Sequence, residues 1–417
     1  MAAQLQWSNW AGNVTANVDE IVAPTTESEV RAIVHAAVAK GRTIKAIGSA
    51  HSFSRIAASD SVVMTTENLD AKVSVHGDQV TVGGGMKLRQ LNEYLATIGL
   101  AVRNLGDVDY QSVAGAIGTA THGTGKQFGG IATSVVGMRI VNGQGDVVVI
   151  DDHETLRGTA VHLGALGVVT EVSLQCVPAF ECFAVEQPVL VDELIAAWPD
   201  AIEANDHIEF WWLPGSDWAL VRANQRASSR PLWHPPMPQT TIPEPAQTIL
   251  GMLGKWQPNA ESTAQPHRYH DRSDRVFCSE RTAALEMEYS VPAQRGMECL
   301  QHVRNTLSDH PEWKCFYPVE VRYTKADDLW MSTAGDRDSM YIAVHEDPAR
   351  SVDPYFATVE PYLAGVDGRP HWGKMHTQSA ATLCDRYAHW DDFAALRDQF
   401  DPDRTFGSMA LEALLGD

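Results

Sequence analysis

Two loops of small residues constrain the fold of this chain more than any other feature. The first loop, GSAHSFS at 48–54, ends the short apolar run TIKAIG at 43–48, which we interpret as a buried strand. The second, NLGDVDYQSVAGAIGTATHGTG at 104–125, combines Gly and Ala with Ser and Thr hydroxyl groups. Small residues let backbone N–H groups approach a ligand closely, and successive N–H groups can bind an anion. We therefore expect the loops either to enclose a dinucleotide or to allow tight backbone packing.

Neither loop matches the two common nucleotide-binding motifs. The pattern GxGxxG does not follow the first strand, and GxxxxGK[ST] is missing. A Rossmann fold and a P-loop fold are therefore not predicted.

The first 180 residues alternate between helix and strand patterns. Apolar residues at helical spacing predict helices, and β-branched runs bounded by Gly predict strands. The predicted helices are 25–42 and 86–100, and the predicted strands are 61–66, 79–85, 163–178 and a hairpin at 135–150.

The middle of the chain differs in composition. Aromatic clusters such as HIEFWWLPGSDW at 207–218 occur there, and the prolines of 230–247 predict a surface loop without regular structure. Strands are predicted at 285–292 and 315–325, on either side of a helix at 293–309.

Charge and cysteine content exclude several classes of protein. The net charge of −21 argues against nucleic-acid and anionic-membrane partners. The six cysteines lack CxxC spacing, which argues against a zinc site or a disulfide framework, so we expect no metal and a reducing compartment. No basic segment followed by an apolar stretch begins the chain, and no run of about 18 apolar residues occurs. The expected location is the cytoplasm.

Five motifs occur in the order found in one family of flavoproteins. They are IGSAHSFS, VAGAIGTATHGTG, LGALGVVTEV, EVRY and HWGK. With them the chain resembles the vanillyl-alcohol-oxidase superfamily, and in particular its branch of sugar-lactone and alditol oxidases. The resemblance covers nearly the whole chain.

The resemblance implies an α+β fold in three parts. Residues 1–182 would form an FAD-binding domain, and residues 183–370 a substrate domain with an antiparallel sheet flanked by helices. Residues 371–417 would return to the flavin.

The resemblance also implies that both small-residue loops bind FAD. His51 would be joined covalently to the 8α-methyl group of the flavin, although a surface histidine is the alternative from the residues alone. Ala50 stands where relatives often have Gly, and its methyl group is tolerated unless this residue needs a positive φ. Val169 would meet the cofactor, or serve as strand core. The residues implied in cofactor binding are Ile47, Gly48, Ser49, Ala50, His51, Ser52, Phe53, Gly106, Asp107, Ser112, Gly115, Gly118, Thr119, Thr121, His122, Val169 and His371.

Catalysis requires cations near the flavin and the substrate oxygen. Glu320 and Arg322 lie two residues apart on a predicted strand, so their side chains share a face. The pair would be an ordinary salt bridge from spacing alone, and the resemblance assigns it to the active site together with Lys374. His345 is a proton acceptor or a polar wall.

Three positions bear on the substrate, the electron acceptor or the flavin environment. Asp107 replaces a Ser that binds polyol in alditol oxidases, and it would bind two hydroxyl groups or pair with Lys374 or Arg322. Its charge disfavours carboxylate substrates. Gly106 is at the position that the resemblance assigns to the oxygen gate, and a small residue there favours an oxidase over a dehydrogenase. Ser408 stands where relatives often have Asn, so the flavin environment or substrate fit would differ.

The expected function is FAD-dependent oxidation of a CH–OH group of a sugar lactone, with O₂ or another acceptor. The alternative is an alditol oxidase that produces an aldose and H₂O₂. A flavin-binding protein without catalysis is the third possibility, favoured by Ala50, Asp107 and the altered tail.

Overall fold

The chain folds as an α+β protein whose strands are mostly antiparallel, as the sequence predicts. The structure is a computed structural model that describes residues 5–226, 235–279, 284–313 and 317–416. Predicted segment 230–234 and the start of predicted strand 315–325 lie outside the described residues.

The first part of the chain contains several small sheets. Strands β3, β5 and β4 form a parallel sheet, and β10-β9-β11-β7-β6 is an antiparallel sheet of five strands. The short pairs β1-β2 and β8-β12 complete this part. The strands are β1 (Leu5–Ser8), β2 (Thr15–Val18), β3 (Glu20–Val22), β4 (Ile44–Ile47), β5 (Val62–Thr65), β6 (Lys72–His76), β7 (Gln79–Gly83), β8 (Leu100–Ala101), β9 (Val135–Val141), β10 (Val147–Ile150), β11 (Val168–Gln175) and β12 (Val177–Pro178). The helices are α1 (Glu27–Ala39), α2 (Leu88–Thr97), α3 (Val113–Gly118) and α4 (His153–Thr159).

An antiparallel sheet of eight strands dominates the second part. Its order is β16-β13-β15-β14-β18-β19-β17-β20. The strands are β13 (Glu181–Leu190), β14 (His207–Trp212), β15 (Trp218–Gln225), β16 (His267–Arg272), β17 (Leu285–Pro292), β18 (Val319–Thr324), β19 (Ser339–Glu346) and β20 (Arg369–Pro370). The remaining helices are α5 (Val191–Ala204), α6 (Glu244–Leu253), α7 (Ser273–Phe277), α8 (Gly296–Asp309), α9 (Asp353–Gly365), α10 (Ala380–Leu383), α11 (Trp390–Phe400) and α12 (Met409–Leu415).

The two faces of this large sheet have different chemistry. Strand residues on one face pack with α5, α8 and α9 in an apolar core that includes Phe210, Val321 and Ile342. Since side chains alternate along a strand, the neighbours of these residues point to the opposite face. On that face lie Glu209, Arg222, Glu320 and Arg322, all buried. Burial of charge is costly unless the charges are paired. This face is therefore the candidate functional face of the sheet.

The prediction for 230–247 is wrong at its C-terminal end. Helix α6 begins at Glu244, with Pro245 in its first turn. Proline is tolerated there because the first N–H groups of a helix have no partner within the helix. Residues 235–243 contain no helix or strand, as predicted.

The last segment of the chain returns to the first part. Gly373 accepts a hydrogen bond from the backbone N–H of Phe53 at 2.6 Å, and Thr405 accepts one from Ile44 at 2.7 Å. Ser408 caps α12 by accepting from Leu411, and both Ser and Asn favour this position. Among the described residues, no helix combines the length and apolar character that crossing a bilayer requires.

Candidate active site

The two small-residue loops line one open cavity. Strand β4 delivers the first loop, and Ser112 begins α3 within the second by accepting a hydrogen bond from Gly115. Of the predicted cofactor-binding residues, those that line the cavity are Ile47, Gly48, Ser49, Ala50, His51, Ser52, Ser112, Gly115, Gly118 and Thr119.

Close packing explains two of the glycines. A Cβ atom at Gly48 would lie 1.9 Å from Oγ of Ser112, and one at Gly118 would lie 2.6 Å from the ring of His162. Neither separation is possible between non-bonded heavy atoms. Gly48 therefore lets the two loops approach each other, and Gly118 lets His162 approach the second loop. Both glycines leave bare backbone along the cavity.

Ala50 has a backbone conformation that favours glycine. Its φ is +54°. The residue therefore does need a positive φ, which is the one case in which its methyl group was expected to be unfavourable. Two further residues close to the cavity, Ala120 and Leu163, also have positive φ values, of +58° and +54°. Such conformations cost roughly 1 kcal/mol or more for a residue with a Cβ, and they persist where the surroundings impose them.

His51 lies in an aromatic stack at the end of the first loop. Its ring centre is 5.0 Å from that of Trp10 and 6.3 Å from that of Tyr110. Burial lowers the pKa of His51 to about 4, and the charges of Lys374 and Lys87 act in the same direction. The imidazole is therefore neutral at pH 7, with a nitrogen lone pair available for bonding.

A network of five buried charges occupies the centre of the large sheet. Arg322 forms ion pairs with Asp107 and Glu320, both at 2.6 Å, and with Glu209 at 2.9 Å. Arg222 donates to Glu209 at 2.7 Å and to Asp107 at 2.9 Å. Burial opposes the charge of Arg322, yet Glu320 and Glu209 raise its pKa above the ordinary value. Both guanidinium groups therefore remain charged.

A second polar group next to this network contains Lys374 and His345. Both contact Glu286, which forms an ion pair with Nζ of Lys374 and lies 3.7 Å from Nε2 of His345. One side-chain ligand atom from each of Glu286, Glu320 and His345 lies within 4.8 Å of the others. Lys374 also stands 5.4 Å from the ring centre of Phe53. The two groups are thus continuous with each other and with the His51 loop.

His122 and Glu288 form a third group. Nε2 of His122 lies 3.4 Å from Oε1 of Glu288, and both residues are buried. The other ring nitrogen, Nδ1, donates to the carbonyl oxygen of Gly123 at 2.9 Å. Burial would raise the pKa of Glu288, but His122 and Lys374 hold it well below its usual range. The carboxylate of Glu288 thus faces the ring nitrogen of His122 that does not contact Gly123.

Within the described part of the chain, three clusters of His and carboxylate side chains are compact enough to share a metal ion: His122, Glu288 and His371; Glu286, Glu320 and His345; and Asp107, Glu209 and Glu320. In the last two, Arg or Lys already neutralises the carboxylates. We therefore interpret them as ion-pair networks rather than metal sites.

The other predicted site residues lie around these groups. Val169 is a buried residue of β11 and does not line the cavity. Gly106 packs against the backbone of His122, and Thr121 accepts a hydrogen bond from Gln111. The backbone N–H of His371 donates to the backbone carbonyl oxygen of Glu288.

Sequence reasoning missed Glu209, Arg222, Glu286 and Glu288. Each is a charged residue in a strand whose other residues are mostly apolar. Because lone buried charges are rare, this pattern was the available signal.

The cavity fits a flavin dinucleotide. It combines bare backbone, for close approach of a diphosphate, with a neutral imidazole at the His51 loop and cations nearby. His51 and the loop residues that line the cavity would hold FAD there.

Comparisons with known proteins agree with this geometry. Residues 18–151 match an FAD binding domain, and residues 172–414 match the D-arabinono-1,4-lactone oxidase family. An L-gulono-1,4-lactone dehydrogenase of Mycobacterium tuberculosis is 37% identical over 98% of this chain and 99% of its own. An alditol oxidase of Streptomyces sp. is 32% identical over 98% of both chains.

The fold also matches a solved structure. Cholesterol oxidase from B. sterolicum superposes with a TM-score of 0.78 at 15% identity, over 99% of this chain and 97% of that one. At this identity the match concerns the fold alone, which is the predicted vanillyl-alcohol-oxidase type. The family match and the identities show that the chain belongs to the D-arabinono-1,4-lactone oxidase family of FAD-binding oxidoreductases.

Proposed function

We propose that the protein is an FAD-dependent oxidoreductase that oxidises a CH–OH group of a sugar lactone of the L-gulono-1,4-lactone type. The observation that carries this proposal is the buried charged face of the large sheet, which adjoins the His51 loop through Lys374. Family membership and the gulonolactone dehydrogenase relative support the substrate class.

The charged groups suit the oxidation of an alcohol. Bound FAD supplies the electron-accepting ring. Arg322 and Lys374 stabilise negative charge on the substrate oxygen as its proton leaves, which lowers the pKa of the hydroxyl group. His345 donates from Nδ1 to the carbonyl oxygen of Pro318 at 2.8 Å, so in its neutral form Nε2 carries the lone pair. That nitrogen, beside Glu286, takes the proton.

The site favours a neutral substrate. Asp107, Glu286 and Glu320 surround the two proposed catalytic cations. A carboxylate substrate would be repelled by these groups, whereas a lactone or polyol would not.

Alditol oxidation is the second candidate, favoured by the Streptomyces alditol oxidase relative. The ion pairs of Asp107 support the lactone instead. Both of its oxygens face guanidinium groups, Oδ1 toward Arg222 and Oδ2 toward Arg322. In this arrangement Asp107 orients cations rather than sugar hydroxyl groups.

We also infer covalent attachment of the flavin to His51. The neutral imidazole, its place in the cavity and the aromatic rings beside it support this linkage. The final electron acceptor is O₂ or another oxidant. The cytoplasm is the proposed location, which the five described cysteines support because all are free thiols.

One experiment on the purified protein tests the proposal. In the absence of oxygen, added L-gulono-1,4-lactone should bleach the yellow flavin, and added xylitol should bleach it much more slowly. Readmitted O₂ or an added dye then identifies the acceptor by the rate of recolouring. A flavin that neither compound reduces would support the non-catalytic alternative, and faster bleaching by xylitol would support the alditol oxidase.

A second experiment tests the linkage. After acid precipitation, yellow colour should remain with the wild-type chain and leave the His51→Ala chain. His153→Ala, a substitution at an exposed histidine, is the control and should keep the colour. Colour lost from the wild-type chain would refute covalent attachment.

A further inference from the structure

A buried lysine lies in the same cavity as the proposed flavin-binding residues. Lys45 is on β4, three residues before Gly48, and is only 2% exposed. It borders the cavity together with Gly164 and Ser112. Nothing in the sequence argument assigns a role to this side chain.

The ammonium group of Lys45 has little compensation from the protein. Its Nζ donates one long hydrogen bond, of 3.3 Å, to the carbonyl oxygen of Gly164. The acids that favour its charged form are Glu412 and Asp401. Glu412 pairs with Arg397 at 2.6 Å, and Asp401 accepts from the backbone of Thr405 and Phe406.

The charges around Lys45 act in opposite directions. Burial lowers its pKa to about 8, Arg397 lowers it further, and Glu412 and Asp401 raise it. His162 also faces this region, and burial lowers the pKa of that imidazole to about 4. His162 therefore stays neutral above pH 6, and Lys45 is the group that titrates between pH 7 and 9.

A buried ammonium is stabilised most by an anion with direct access to it. The cavity provides that access, because the small residues beside Lys45 leave room and bare backbone for a ligand. The diphosphate is the anionic part of FAD. We propose that Lys45 binds the diphosphate of FAD and neutralises part of its charge. This inference rests on the assignment of FAD to the cavity.

The test uses His51→Ala protein, in which FAD should bind reversibly because the inferred covalent linkage cannot form. Dissociation constants for FAD, ADP and adenosine are measured by fluorescence titration and competition, with and without Lys45→Met. Loss of a charge-assisted hydrogen bond should weaken FAD and ADP about 10- to 100-fold. Adenosine lacks phosphate and should change less than about twofold. Circular dichroism of each variant without ligand checks folding.

The pH dependence keeps the proposal testable if Lys45→Met does not fold. With Lys45 intact, affinity for FAD and ADP should fall as pH rises above about 8, since the neutral amine must regain its proton. Adenosine affinity should stay level.

The outcomes separate the two assignments. Equal losses for ADP and adenosine, unchanged affinities in Lys45→Met, or a level pH profile for ADP would overturn the role of Lys45. Failure of the His51→Ala protein to bind FAD or ADP at any pH would instead refute the cofactor site.

Discussion

Oδ2 of Asp107 lies 2.6 Å from Nη2 of Arg322. This contact joins a loop of the first part of the chain to the centre of the large sheet. Oδ1 of the same carboxylate lies 2.9 Å from Arg222 on β15. Asp107 thus fixes the loop that contains Gly106 and orients the guanidinium group proposed to stabilise the substrate oxygen.

Asp107→Asn should therefore lower both stability and turnover. Removal of one partner from a buried ion pair costs about 3–5 kcal/mol, because the remaining charge is left uncompensated. We expect a lower urea midpoint and a kcat that falls more than KM rises. Asp109→Asn is the control, since Asp109 pairs with the half-exposed Arg89 at 3.2 Å and should lose less than about 1 kcal/mol. Equal effects of the two substitutions would contradict the proposed role.

Lys374→Met should slow flavin reduction by about 10²- to 10³-fold, the usual effect of removing one group that stabilises developing negative charge. Stopped-flow bleaching with the lactone measures the rate. Lys374→Arg keeps the charge and should retain part of the activity. Lys126→Met removes a surface lysine paired with Glu203 and should change nothing. A normal bleaching rate in Lys374→Met would exclude Lys374 from catalysis.

Glu288 and His122 should be energetically coupled. A double-mutant cycle with Glu288→Gln and His122→Gln, measured from urea midpoints, should give a coupling energy of at least about 1 kcal/mol, because both groups are buried. The surface pair His389 and Asp392, at 2.7 Å, provides a matched cycle with coupling near zero. Additive losses at His122 and Glu288 would show that the two side chains are not energetically coupled.

Ala50→Gly should stabilise the protein by about 0.5–1 kcal/mol. The substitution removes the strain energy of a positive φ at Ala50. That gain in folding free energy exceeds the loss caused by the greater conformational entropy of glycine in the unfolded chain. The expected gain in the thermal midpoint is about 0.5–1 °C for a chain of this size. Ala46→Gly, within strand β4, should instead destabilise. A lower midpoint for Ala50→Gly would mean that its methyl group makes contacts worth more than the strain.

Stability should fall steeply as pH drops below about 6.5. Burial lowers the pKa of His162 to about 4 and those of His207 and His371 to about 3. Between those values and the unfolded value the unfolded chain binds more protons, so stability rises with pH, by about 1.4 kcal/mol per unit for each histidine. Thermal midpoints at pH 4.5 to 7.5 measure the slope. His207→Gln should reduce it and the exposed His153→Gln should not; an unchanged slope in both would refute the assignment.

Local patterns in the sequence predicted much of this fold. Helix α1, the hairpin β9-β10 and strand β17 follow from apolar periodicity and turn residues within short segments. The motif order predicted the family and the fold type. The boundary of α6 was missed because proline is compatible with the first turn of a helix.

The partners of the site residues were harder to predict. Asp107 and Arg222 are 115 residues apart, so no local pattern relates them. From the sequence, Arg322 was one of several possible partners of Asp107. The antiparallel register of β14 and β18 brings Glu209 next to Arg322 as well. The φ of Ala50 was also hidden, because alanine gives no signal of a positive φ.

The hydrogen bond from Phe53 to Gly373 has a consequence for biosynthesis. The ribosome makes residue 373 long after residue 53, so the His51 loop lacks this support until nearly the whole polypeptide has emerged. The loop therefore gains its full set of hydrogen bonds only after residue 373 has been synthesised.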